Sequence, residues 1–188
     1  SRLADSFIDA GYGVGDRIQL KYEAAWLRVA DGQAREGLSN SLVGVKWRFY
    51  DAGEKQWSVS TYPQIEFNNP GSHSDDRGLA DHGTGLILPL EVMKDFGVFE
   101  FNADFGLVAH SGGNEWFGGV VIGREVAKGA ELAAELHAEW DHRLGASSLV
   151  MNLGLRVDLS EKCTLLLSAG RELHNAREAQ ASLLAYIG

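Results

Sequence analysis

Proline is scarce in this chain, with three residues in 188, while cysteine occurs once and methionine twice. So little proline leaves long stretches free to pair as strands, since a proline inside a sheet removes a ladder hydrogen bond. The lone Cys163 excludes a disulfide framework and a multi-cysteine metal centre, and reads as a small, partly buried side chain. Positive charge is also short: 17 Lys and Arg stand against 26 Asp and Glu, for a net charge of -9. That balance excludes the basic face a nucleic-acid partner requires. No run approaches the roughly 18 continuous apolar residues of a membrane helix. Catalytic signatures are missing too, with no phosphate-cradling loop, no nucleophile elbow and no His-x-Ser pair. No catalytic residue, cofactor or metal site is therefore assigned.

Glycine, by contrast, is abundant at 23 residues, and the chain carries a rhythm of period two. Over residues 17–26, Ile18, Leu20, Tyr22, Ala24 and Trp26 alternate with Arg17, Gln19, Lys21 and Glu23. The pattern returns with Val43, Val45, Trp47 and Phe49 against Lys46 and Arg48. It returns again with Trp57, Val59, Thr61, Ile65 and Phe67 against Ser58, Ser60, Gln64 and Glu66. Phe99, Phe101, Phe105 and Leu107 oppose Glu100, Asn102 and Asp104, while Leu132, Leu136 and Trp140 oppose Glu131, Glu135, His137 and Glu139. Weaker segments at 3–12, 84–94, 115–126, 149–158, 163–170 and 181–187 bring the total to about eleven. Strict alternation over ten-residue segments predicts strands with one apolar and one polar face. As a set they predict an all-β, antiparallel, up-and-down transmembrane barrel of about 12 strands in a single domain. An even count requires one more strand upstream of Ser1, where a secretory leader is also expected; without the weak first segment the count is ten.

Connections at 13–16, 51–55, 95–97, 127–129 and 159–162 read as short. Those at 30–37, 69–82, 110–114, 141–146 and 171–180 read as long. Their strict alternation puts turns at one rim and loops at the other. Trp26, Phe67, Trp116 and Trp140 fall beside the long connections, and Trp47 and Trp57 beside the short ones, as two interfacial aromatic girdles.

The runs GVGDRIQLKYEAAWL, NSLVGVKWRFYD, YPQIEFNNP, LPLEVMKDFG, LLLSAGRE and LLAYIG resemble a family of bacterial outer-membrane barrels catalogued as phenol-degradation (meta-pathway) or transporter-like proteins. The resemblance covers nearly the whole chain. It implies a Gram-negative outer-membrane location and an uptake or channel role; lipid and small solutes, hydrophobic or aromatic ones among them, are then the expected partners. It carries over no catalytic residue. Many outer-membrane barrels end on an aromatic residue, and the closing Gly188 departs from that pattern.

The polar faces then line a lumen whose charges are uneven. Arg17, Lys21, Lys46 and Arg48 form a basic group, with Glu23 in position for cross-strand ion pairs. Glu66, Glu91, Glu100, Asp104, Glu125, Glu131, Glu135 and Glu139 are acidic, with Arg156 among the later strands. Such walls set selectivity in an open pore, or plug a small one. His137, between Glu135 and Glu139 on one face, is placed to respond to pH. His73, Asp75, Asp76, Asp81 and His82 offer metal-ligand chemistry without a fixed geometry. A soluble ligand-binding β-barrel or sandwich is the rival architecture. It would bury Leu20, Phe101, Phe105, Leu132 and Leu136 rather than expose them. An outer-membrane lipid hydrolase using a His and a Ser, for which the sequence offers only the adjacent pairs His73–Ser74 and His110–Ser111, is a third reading.

Overall fold

A computed structural model describes residues 2–31, 33–53, 57–80, 83–110, 113–141, 147–160, 163–175 and 181–187. The elements are β1 (Arg2–Val14), β2 (Ile18–Asp31), β3 (Gln33–Asp51), β4 (Trp57–Thr61), β5 (Gln64–Phe67), β6 (Thr84–Asp95), β7 (Glu100–His110), β8 (Gly113–Ala127), β9 (Ala130–Asp141), β10 (Ser147–Ser160), β11 (Cys163–Asn175) and β12 (Ala181–Ile187). They form one sheet in the order β1-β2-β3-β4-β6-β7-β8-β9-β10-β11-β12, with β5 pairing β3 and β6. Sequence neighbours pair throughout, so the topology is up-and-down, and all eleven expected segments become strands.

One expected segment is divided. The run from Trp57 to Phe67 breaks at Tyr62 and Pro63 into β4 and β5. Proline has no N–H to give the ladder, and it restricts the residue before it. The Pro63 carbonyl still accepts the Val45 N–H at 3.1 Å, so pairing with β3 carries across the break.

The connections also differ from expectation. β2 runs to Asp31 and β3 starts at Gln33, β7 ends at His110 and β8 starts at Gly113, and β11 continues to Asn175. The strands overrun the apolar stretch, because backbone pairing continues where side chains no longer need to alternate. The extended loop among the described residues is the one between β5 and β6. Two of the short turns repeat one device: the Gly53 N–H bonds Asp51 Oδ1 at 2.9 Å, and the Gly97 N–H bonds Asp95 Oδ1. Both glycines have positive φ, 99° and 79°, which side-chain-bearing residues rarely adopt.

The chain packs as two compact units. One comprises Ser1–Phe49, Thr61–Pro89 and Leu107–Gly113; the other comprises Tyr50–Ser60, Leu90–Gly106 and Asn114–Gly188. In the first, Leu20 lies opposite Val45 and Tyr22 opposite Val43, while Gln19 faces Lys46 and Lys21 faces Gly44. In the second, Leu136 lies opposite Val120 and Met151, while Glu135 faces Val121 and Asn152. Register thus gathers apolar side chains on one face and most polar ones on the other.

The apolar face is the exposed one. Leu136, Val120 and Met151 retain 40%, 39% and 43% of their accessible surface, and Leu20, Phe105 and Leu132 are exposed as well. Phe101 is half-buried. Among the described residues the buried hydrophobic side chains are Ala24 and Leu79 alone.

Candidate functional site

The polar face of the first unit carries three groups of contacts. Lys21 Nζ lies 3.2 Å from Asp9 Oδ2 on β1 and 3.1 Å from Glu23 Oε1 on its own strand. Tyr62 OH donates to that same Glu23 oxygen at 2.9 Å, and Lys21 Nζ sits 5.3 Å from the centre of the Tyr62 ring. Glu23 therefore joins Lys21 and Tyr62, while Lys46 lies opposite Gln19 and Glu23 opposite Leu42. The register explains why the ion pairs of Lys21 run to Asp9 and Glu23 and not across to β3. Arg17 belongs to the turn before β2; its carbonyl accepts the Arg48 N–H at 2.9 Å, and Arg48 Nη2 donates to Asp16 O at 2.9 Å. Near the other end, Asn40 Nδ2 donates to Glu66 Oε1 at 2.8 Å.

In the second unit the acidic residues form a lattice with their neighbours. His137 Nε2 lies 3.3 Å from Glu139 Oε1, Asn152 Nδ2 donates to Glu135 Oε2 at 2.8 Å, and Ser60 Oγ donates to Glu91 Oε2 at 2.9 Å. Arg156 reaches Asp158 Oδ1 at 3.1 Å and Glu131 Oε2 at 3.9 Å. Asp104 of β7 and His137 of β9 approach each other over Gly119 of β8: a Cβ placed there would meet Asp104 Oδ1 at 2.8 Å and His137 Nδ1 at 3.2 Å. Towards the short turns, a cavity of about 550 Å³ is lined by Asp95, Glu100, Glu125 and Glu131 together with Arg124 and Lys128.

The tryptophans, Phe67 and Phe105 lie on the apolar face, whereas Tyr62 and Phe117 lie on the polar one, Phe117 with its ring centroid 6.3 Å from that of His137. Phe105 stacks on Trp116 with centroids 5.2 Å apart and lies 6.0 Å from Trp140. Trp26, Trp47 and Trp57 are exposed, and Phe67 is half-buried opposite Ser41. Lys94 Nζ stands 4.9 Å above the Trp57 ring and 5.3 Å above Phe96.

The β5–β6 loop folds onto β3. Arg77 donates to the carbonyls of Glu36, Ser72 and His73 and to Ser74 Oγ, and Arg35 Nη1 donates to the Arg77 carbonyl. Asn69 bridges Ser39 O and Ser41 Oγ, leaving Ser41 and Ser74 fully buried. His73 instead faces Asp76, 3.6 Å away, with an exposed side chain. Asp81 and His82 of the candidate ligands, and Ser111 of the His110–Ser111 pair, lie outside the described residues. His73 and Ser74 point into different surroundings, so their adjacency creates no nucleophile–base pair.

Four contributors escaped the sequence pattern: Asp9, Tyr62, Asn152 and the polar-face glycines. Tyr62 has the parity of Ser60 and Gln64, so alternation already puts it on the polar face, but its aromatic ring gives no polar signal. Asp9 and Asn152 were legible only through register.

No family model matches this chain, and no curated protein does. Among solved structures it is similar to an outer membrane channel from Pseudomonas putida F1, with a TM-score of 0.74 at 13% identity, covering 97% of this chain and 81% of that one. The fold is that of an outer-membrane β-barrel. The fold likeness does not extend to the phenol-degradation family name, which finds no match of its own.

Proposed function

We propose that this chain is a channel of a bacterial outer membrane that passes small solutes through a lumen lined by the polar face. The supporting observation is the inverted distribution of its side chains. Leucines, valines and aromatics are exposed along one face, while the charged groups of the other bond one another. An aqueous protein of this size buries its large aliphatic side chains, whereas a membrane barrel presents them to lipid. In this reading Trp26, Phe67, Trp116 and Trp140 mark one interface and Trp47 and Trp57 the other. Lys21, Glu23, Lys46, Arg48 and Glu66 colour one stretch of wall. Glu100, Asp104, Glu131, Glu135, His137, Glu139 and Arg156 colour another, and together they set solute preference. Such walls favour small hydrophilic or charged solutes over the hydrophobic or aromatic ones expected from the sequence, since the contacts of the polar face are hydrogen bonds and ion pairs.

The test is a planar-bilayer recording on protein folded in detergent, with folding checked by a faster unheated band on a gel. Discrete current steps and solute flux into vesicles are expected. A heat-modifiable, folded sample that passes neither ions nor solutes would overturn the channel assignment.

A further inference from the structure

We infer that glycines on the polar face set the bore of the lumen, by letting polar side chains from neighbouring strands lie flat along the wall; this rests on the channel reading. Gly44, Gly85, Gly119 and Gly123 sit within strands and lack the positive φ seen at the turn glycines. Their backbone conformation therefore makes no demand for glycine. A glycine inside a strand weakens it, and often marks a place where another group approaches closely.

At Gly44, Gly119 and Gly123 a polar side chain occupies the space a Cβ would fill, and at Gly85 one crowds it. The Tyr62 ring and Gln64 cover Gly44, with a Cβ there lying 2.6 Å from Tyr62 Cε2 and 2.8 Å from Pro63 O. Glu66 Oε2 lies 3.2 Å from the Cβ position of Gly85, and Glu131 covers Gly123. Gly119 carries two groups at once, Asp104 from one neighbour strand and His137 from the other. These groups would otherwise project from the wall. Seated over glycine, they keep their charge at the surface and leave the centre free. Gly154, on the same face, has no such tenant: its Cβ would meet nothing nearer than Leu167 O at 3.8 Å and Ala133 Cβ at 3.9 Å. It is the internal control.

The experiment compares Gly119→Ala with Gly154→Ala in the full chain, each confirmed as folded by its unheated gel band. Gly119→Ala displaces the carboxylate and imidazole from the wall, so single-channel conductance falls by roughly half or more and the cation-to-anion permeability ratio shifts. Gly154→Ala keeps wild-type values. Should Gly119→Ala not fold, Gly123→Ala replaces it, since there only the end of the Glu131 side chain has to move. Wild-type conductance and permeability ratio in the glycine variant would overturn the inference. If folded wild-type protein passes no current, the channel reading fails on its own, and thiol labelling decides this one. In a Cys163→Ser background, a charged thiol reagent should modify His137→Cys faster when Gly119→Ala is also present. An unchanged rate would overturn it.

Discussion

Leu136→Arg separates a lipid-facing strand from a water-facing one. Leu136 lies in the middle of β9, and its cross-strand neighbours Val120 and Met151 are exposed alongside it. Trp140, four residues on, belongs to the aromatic cluster with Phe105. Four residues at about 3.3 Å each span about 13 Å along the strand, or about 10 Å of depth at a tilt of ~40°. In an apolar band about 25 Å tall, that puts position 136 close to the midplane. An arginine there costs about 2–4 kcal/mol, a fall of about 30- to 700-fold in the folding equilibrium at ~1.4 kcal/mol per factor of ten. In water the same exposed position would change stability by no more than ~0.5 kcal/mol. Urea unfolding in lipid vesicles, followed by the loss of the fast gel band, measures the difference. An L136R midpoint matching wild type would refute the lipid-facing assignment of β9.

Tyr62→Phe removes the hydroxyl that donates to Glu23 but keeps the ring over Gly44. It should cost about 1.5 kcal/mol, as expected for a hydrogen bond to a charged acceptor, and Tyr62→Ala should cost more in the same unfolding assay. Arg77→Ala removes donors to Glu36, Ser72, His73 and Ser74. Proteinase K should then cut within the β5–β6 loop roughly ten-fold faster, while the unfolding midpoint of the strands stays unchanged. Equal cleavage rates would show that Arg77 does not hold the loop.

The alternation along the chain was sufficient to determine the fold class, the eleven segments that pair and the identity of both faces, but not the division of one segment into β4 and β5. Period two assigns every residue of a strand to one side, and a one-residue slip would put Lys21 and Glu135 in the place of Leu20 and Leu136. The aromatic placements followed from the same parity. What alternation does not encode is which residue lies beside which. Lys21 finds Asp9 because β1 pairs with β2 in one register, and Asp104 meets His137 because β8 places Gly119 between them. The loop boundaries were misjudged for a related reason. Strand ends can be extended by backbone hydrogen bonds, which leave no mark on side-chain composition. Glycine carries no side-chain information of its own, so its role as a seat for neighbouring polar groups is decided only by the register that brings those groups above it.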